Sequence, residues 1–461
     1  MVSFHMPGHK GSLDPLDVTE LPGLDDLYAP SGMIKEALER AAAFYGSDKC
    51  FYLVNGSTVG VLTAISAAVK KGGHMIMQRA SHKSAYHAAV LRDLKLTYIY
   101  EECDDICGAG CGVSLSAVKQ AVEADPSAEA VFITSPSYEG FVSDVTGIAA
   151  YLHSAGKKLI VDAAHGAHFA MSDKFPLCAA AAGADMVVMS LHKTLPCPNQ
   201  AALLHIKGGR VSAERVNSFL AMYQTSSPSY PLMADMDECI NSSYDWEGFI
   251  SRRRKLSESL SSLKNITLRD AYDGVTGASP EPCKMLLCPK DGCSGIKLHE
   301  ALRERGIEPE MSLPGYVLLI CSVADTDEDY EKLVIAVRDI DESWQPEERS
   351  FASLRMTSSS TQDDRRSNAQ DDKAEGVLND SHIIRCVKDA SEPMNIADAW
   401  ESEYEDISLA AAEGRISAVS VMAYPPGRPI LVPGEQITEG IIKEILSLLR
   451  SGCVVKGIYK G

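Results

Sequence analysis

Between residues 50 and 205 the chain repeats one pattern. A short apolar run is followed by a polar break and then by apolar residues at helical spacing. The runs are Cys50-Phe51-Tyr52-Leu53-Val54, Met75-Ile76-Met77, Leu96-Thr97-Tyr98-Ile99-Tyr100, Ala130-Val131-Phe132-Ile133, Leu159-Ile160-Val161, Met186-Val187-Val188-Met189 and Ala201-Ala202-Leu203-Leu204-His205. Helical patterns lie between them, among them Val59 to Lys70, Leu115 to Ala124 and Val145 to Ser154. Strands alternating with helices at this spacing predict an α/β fold, with a mostly parallel sheet covered by helices on both faces. In such a sheet functional groups gather at the strand C-termini and in the adjoining loops.

The residues just past each run are therefore the candidates for chemistry. Leu159-Ile160-Val161 ends in Asp162-Ala163-Ala164-His165-Gly166, and the run ending at Met189 leads into Ser190-Leu191-His192-Lys193-Thr194. An acid at one buried strand tip and a lysine at a later one form the pair that pyridoxal phosphate needs. The lysine amine condenses with the cofactor aldehyde, and the acid keeps the pyridine nitrogen protonated so that the ring accepts electrons. Asn55-Gly56-Ser57-Thr58 sits between a strand and a helix, where backbone amides and two hydroxyls can cradle a phosphate; a capped turn needs the same residue types. Ser190 and His192 are placed to reach that phosphate if Lys193 reaches the aldehyde carbon. His82, in Ser81-His82-Lys83-Ser84, can stack on the ring or simply start a helix. Asp162 alone can also read as a helix cap, a lone Lys193 reads more readily as a solvated lysine, and His168 reads best as a satisfied, partly buried histidine. The chain order of the set favours the functional reading.

Size and composition bound the remainder. A chain of 461 residues predicts two or three domains. The expected boundaries are an N-terminal arm over 1–30, a cofactor-binding large domain over 31–265, and a smaller α+β C-terminal domain over 266–461 carrying a flexible insertion at 350–380. The insertion is expected from the charged, hydrophobe-poor stretch around Thr357-Ser358-Ser359-Ser360. Helices are expected from Gly32 to Tyr45, capped by Ser31, and from Ala397 to Ala412. A net charge of −19, from 63 acids against 44 bases, argues against nucleic-acid and anionic-membrane partners. The start of the chain lacks a basic segment followed by an apolar one, and no apolar run is long enough to span a membrane, so a cytoplasmic protein is expected. The thirteen cysteines read as reduced thiols, and Cys103-x3-Cys107-x3-Cys111 fits no common metal spacing.

Taken together, these segments resemble the ornithine/lysine/arginine decarboxylases, a fold-type I family dependent on pyridoxal phosphate, in a short form without a wing domain. The resemblance rests on Phe4-His5-Met6-Pro7-Gly8-His9-Lys10-Gly11, Thr19 to Leu27, Leu53 to Thr58, Ser81 to Ser84, Asp162 to Gly166, Ser190 to Pro196, Thr225 to Tyr230, Gly414-Arg415-Ile416 and Tyr424-Pro425-Pro426-Gly427. It implies an aspartate aminotransferase-like large domain and α-decarboxylation of a basic L-amino acid to a diamine or agmatine plus CO2. Lys193 would carry the cofactor, Asp162 would pair with the pyridine nitrogen, and His165 would lie close by. Ser57, Thr58, Ser190 and His192 would hold the phosphate and His82 would stack on the ring. Lys193 or His82 would supply the proton to Cα. Ser226 would reach the phosphate from a neighbouring subunit of a homodimer or higher oligomer. Glu435, Asp25 and Asp26 are candidate partners for a cationic substrate side chain. An aminotransferase or β-eliminating lyase is the nearest rival, with Arg415 the one tempting carboxylate anchor, although it reads better as part of a turn. A catalytically silent homologue acting as a binding or regulatory protein is the rival from another class.

Overall fold

The computed structural model describes residues 4–21, 23–274, 279–290, 293–344, 382–424 and 427–460. The expected insertion at 350–380 lies outside the described residues.

The apolar runs form one seven-stranded sheet: β1 (Lys49–Leu53), β2 (His74–Gln78), β3 (Lys95–Ile99), β4 (Ala130–Thr134), β5 (Lys158–Asp162), β6 (Met186–Ser190) and β7 (Ala202–Ile206). Their spatial order is β1-β7-β6-β5-β4-β2-β3. β7 is antiparallel to both β1 and β6, while the other pairings are parallel, so six strands point one way and β7 alone reverses. The loops leaving β1, β2, β4, β5 and β6 therefore open on one edge. Helices cover both faces because the central strands are apolar on both sides; β6 and β7 are buried at every position. Helix α1 (Met33–Tyr45) packs on one face, and α2 (Gly56–Ala68) is inserted on the other against α3 (Lys83–Arg92). Helix α2 comes close enough to the sheet that a Cβ on Gly60 would lie 2.5 Å from Leu53 Cδ1 and 2.9 Å from Val188 Cγ1. Glycine is what lets this helix seat its N-terminus over the sheet edge.

Helix α1 starts at Met33 with Gly32 as its cap residue, and Ser31 does not cap it. Asp25 does so from outside the helix, accepting the N–H groups of Gly32, Ile34 and Lys35 as well as that of Ser31. Asp25 and its neighbour Asp26, which accepts the Tyr28 N–H, thus serve the backbone rather than a substrate cation.

The stretch expected as one smaller domain contains two separately built parts. A four-stranded sheet, β8 (Ile266–Asp270), β9 (Lys284–Pro289), β10 (Met311–Leu313) and β11 (Tyr316–Ile320), has the order β10-β11-β9-β8, and one face shares the core of the large sheet's helices. Residues 382–460 instead close a core of their own around Ile384, Val421, Leu431, Ile445 and Leu446. They do so with two three-stranded sheets, one of β12 (His382–Val387), β13 (Tyr404–Ser408) and β17 (Ile458–Lys460), the other of β14 (Val421–Tyr424), β15 (Arg428–Leu431) and β16 (Val454–Lys456). The helix expected over Ala397 to Ala412 stops at Glu401, because Tyr404–Ser408 is taken up as the antiparallel partner of β12.

Arg253, on the helix Trp246–Leu260, fixes the middle part to the first. Its guanidinium is fully buried and donates to Asp270 Oδ2 at 2.9 Å and to the Pro282 carbonyl. Replacing Arg253 with Ala leaves an uncompensated buried carboxylate. It is expected to cost about 3–5 kcal/mol of unfolding free energy, read from the shift in denaturant midpoint; a loss under 1 kcal/mol would contradict the ion pair's role.

Candidate active site

The sheet edge where the β1, β2, β4, β5 and β6 loops converge encloses a cavity of about 440 Å3. Ser57, Thr58, His82, Asp162, His165, Ser190, His192 and Lys193 all line it. Register explains the central pair. β5 and β6 are parallel neighbours with Asp162 opposite Val188, so Asp162 ends one strand and Lys193 lies just past the end of the next.

Asp162 is buried and accepts one hydrogen bond, from the Ala164 N–H at 3.1 Å. Burial pushes its carboxyl above the ordinary range while the Lys193 charge pulls it back. A buried carboxylate with a single donor fits a protonated pyridine nitrogen. Burial lowers the Lys193 amine towards its neutral, nucleophilic form, against the pull of Asp162 and Glu310. Opposite them, Ser57 and Ser190 share a hydroxyl–hydroxyl hydrogen bond at the N-terminus of α2, where unsatisfied N–H groups point outward. His192, which lines the cavity, donates from Nδ1 to the Ala201 carbonyl at 2.9 Å.

His82 directly shows one of the two roles open to it from sequence, the helix start. It caps α3 through Nδ1, which accepts the Ser84 N–H, and its ring lines the cavity. Burial, with Lys193 and Lys83, lowers it to about 4. A neutral ring suits stacking. His168 is buried and bonded to Glu281 Oε2 at 2.9 Å. The thirteen cysteines are free. Among the described residues Cys103, Cys107 and Cys111 belong to no cluster with metal-binding geometry.

Besides Asp25 and Asp26, two expected residues lie off the cavity. Glu435 is held by Arg79 at 2.9 Å and by the Val432 N–H, so its charge is spent on the protein itself. Ser226 is exposed and does not line the cavity of its own chain, although the neighbouring Thr225 N–H donates to Asn55 Oδ1 at the cradle. Arg415 pairs with Glu405, away from the cavity.

Other residues enter unannounced by any motif. Glu101 lies just past β3, and Tyr138 and Glu139 just past β4; the strand-terminus rule could have found them. Arg428, at the start of β15, arrives from the C-terminal part, directly after the Tyr424-Pro425-Pro426-Gly427 segment. It lies 3.2 Å from Glu101 Oε1 and 3.6 Å from Glu139 Oε1, and Tyr316 donates to the same Glu139 oxygen. The second oxygens, Glu101 Oε2 and Glu139 Oε2, are buried without a hydrogen-bond partner among the described residues.

The family model for the Orn/Lys/Arg decarboxylase major domain matches residues 1–278, and that for the C-terminal domain matches residues 385–453. The chain belongs to the Orn/Lys/Arg decarboxylase family. It is similar to the uncharacterized protein YaaO of Bacillus subtilis (strain 168), at 34% identity over 99% of this chain and 93% of that protein. The arginine decarboxylase of the same organism is 32% identical, over 99% and 92%. Among solved structures, the constitutive lysine decarboxylase of E. coli superposes with a TM-score of 0.75 at 19% identity, covering 99% of this chain and 78% of that one. The protein is thus a decarboxylase with pyridoxal phosphate as its cofactor, and the buried Asp162, the Ser57–Ser190 pair and Lys193 fit that group.

Histidines kept neutral by burial make the fold acid-sensitive. His82 is lowered to about 4 and His205 to about 3 by burial, against about 6.5 in the unfolded chain. The unfolded chain binds these protons first, so stability is expected to fall as pH drops from about 6.5 towards 4. Thermal midpoints at pH 7.5, 6 and 5 check this; a flat profile would contradict it.

Proposed function

We propose that this decarboxylase acts on L-arginine, releasing CO2 and agmatine. The observation that carries this reading is the pair of unpartnered oxygens on Glu101 and Glu139. Arg428 already bridges the other oxygen of each carboxylate. A substrate guanidinium, planar and rich in donors, matches the same pair of acids from the opposite side. A lysine or ornithine ammonium is a point charge that does not need two carboxylates so arranged. The 32% identity to an arginine decarboxylase supports the same choice.

When bound, the cofactor supplies an electron-accepting ring for the electrons left at Cα as CO2 departs. The chain's residues do the rest. The α2 N-terminus, Ser57, Thr58, Ser190 and His192 anchor the phosphate. Asp162 would hold the positive charge on the ring nitrogen, and the His82 ring would lie beside the bound group. Lys193 would hold the cofactor, and would hold a proton at Nζ for delivery to Cα. The net reaction consumes one proton for each CO2 released. The partner subunit's Ser226 completes the phosphate site in a homodimer.

Offering arginine, lysine and ornithine separately and measuring CO2 and amine tests the assignment; turnover of lysine or ornithine with none of arginine would overturn it. Glu101→Gln is expected to raise KM for arginine by roughly 30-fold, with a smaller change in kcat. Steady-state kinetics on the variant would refute the Glu101 role if KM stayed at the wild-type value.

A further inference from the structure

A second lysine lies behind the first. Lys284 opens β9 and is 0% exposed. Its stem is clamped by Gly140, where an added Cβ would stand 2.4 Å from Lys284 Cγ, so its course is fixed. Its Nζ lies 2.9 Å from His165 Nδ1, and Lys193 Nζ lies 3.2 Å from His165 Nε2. Two amines therefore meet opposite nitrogens of one imidazole. The Tyr138 ring orients the assembly, 4.8 Å from the His165 ring and 5.5 Å from Lys284 Nζ.

The chemistry of this row is restrictive. An ammonium only donates hydrogen bonds, and a neutral imidazole donates from one nitrogen and accepts at the other. If Lys284 is the ammonium, Nδ1 must accept, Nε2 carries the hydrogen and Lys193 must accept with its lone pair. Lys193 is then the neutral amine. If Lys193 is the ammonium, the row reverses, and Lys284 must be neutral. Both amines charged would aim donors at both nitrogens of a ring with one hydrogen already in place.

We propose that Lys284 is a positioning residue that shares a single proton with Lys193 through His165, and so holds Lys193 as the neutral nucleophile in the cofactor-free enzyme. This rests on Lys193 being the cofactor-bearing lysine. The surroundings agree. Burial holds the Lys284 ammonium at about 8, while Glu281 and Glu310 support its charge and Cys283 and Lys193 also face it. Lys193 is faced by Asp162, Glu310 and His82. Burial holds His165 neutral, with both lysines, His168 and His192 acting in the same direction. The same route returns a proton to Lys193 after it has given one up: it leaves Lys284 Nζ for Nδ1 as Nε2 passes its own to Lys193.

The test is the rate at which apoenzyme takes up pyridoxal phosphate, followed by the absorbance of the attached cofactor from pH 6 to 10. Loading needs the neutral amine, so its pH midpoint reports the ionisation of Lys193. Lys284→Met is expected to move that midpoint up by about one pH unit, a roughly tenfold slower loading on the acid side, with an unchanged plateau. In a His165→Asn background the same substitution is expected to give no further shift, because the link is already cut. A folded Lys284→Met protein with the wild-type midpoint overturns the proposal, as does an equal shift in both backgrounds. If Lys284→Met does not fold, competitive labelling of Lys193 in wild-type apoenzyme decides. Two pH steps in its reactivity support shared protonation, and a single step refutes it. Failure to decarboxylate any basic amino acid, with the loading profile as expected, would sink the functional assignment and leave this inference intact.

Discussion

Lys193→Ala is expected to abolish both turnover and covalent retention of the cofactor. The side chain stands at the floor of the cavity, beyond β6, with its amine bonded to His165 and close enough to Asp162 for each to move the other's ionisation. Among the described residues no neighbouring group replaces it. Lys284, the other nearby amine, lies on the far side of the His165 ring and is wholly buried. Removing a covalent nucleophile that also delivers a proton should lower kcat by on the order of 10^4-fold or more. Absorbance of the dialysed variant and CO2 release measure the two effects separately. Substantial turnover in the variant would refute the assignment of Lys193.

Asp162→Asn is the second large effect. The asparagine keeps the volume and can still accept the Ala164 N–H, so the fold should survive. It cannot hold the positive charge on the ring nitrogen, and the lost charge pairing in a buried site corresponds to about 3–5 kcal/mol, or roughly 10^2- to 10^4-fold in kcat/KM. Cofactor affinity should weaken as well, which equilibrium dialysis would show. Wild-type kcat/KM together with wild-type affinity would remove Asp162 from the mechanism.

The sequence carried the large sheet well because its strands are short, apolar on both faces and separated by helices of ordinary length. Leu115–Ala124 and Val145–Ser154 are helices over the very residues their periodicity marks. The cavity residues next to strand ends were legible for the same reason. Position in an α/β sheet decides where a loop opens, and Asp162, Lys193, His82 and Ser57 all sit at or just past strand ends. What escaped notice depends on contacts between distant segments. Glu435 looked available because nothing local announces Arg79, 356 residues away in the chain, as its partner. Lys284 reads as the first residue of an apolar strand, and only the approach of Gly140 and His165 makes it part of the site. Tyr404–Ser408 comes after a helix with no break, and its strand character comes from the edge that β12 offers.

The C-terminal part closes a core of its own, yet it sends Arg428 into the cavity and grips Arg79, three residues before His82, through Glu435 and the Ile430 carbonyl. The residues that fit pyridoxal phosphate thus stand on the seven-stranded sheet, whereas the arginine that bridges Glu101 and Glu139 belongs to a separately folded piece. Descendants of such a chain can change what they accept by drifting in one module, while the electron chemistry of the other stays as it was.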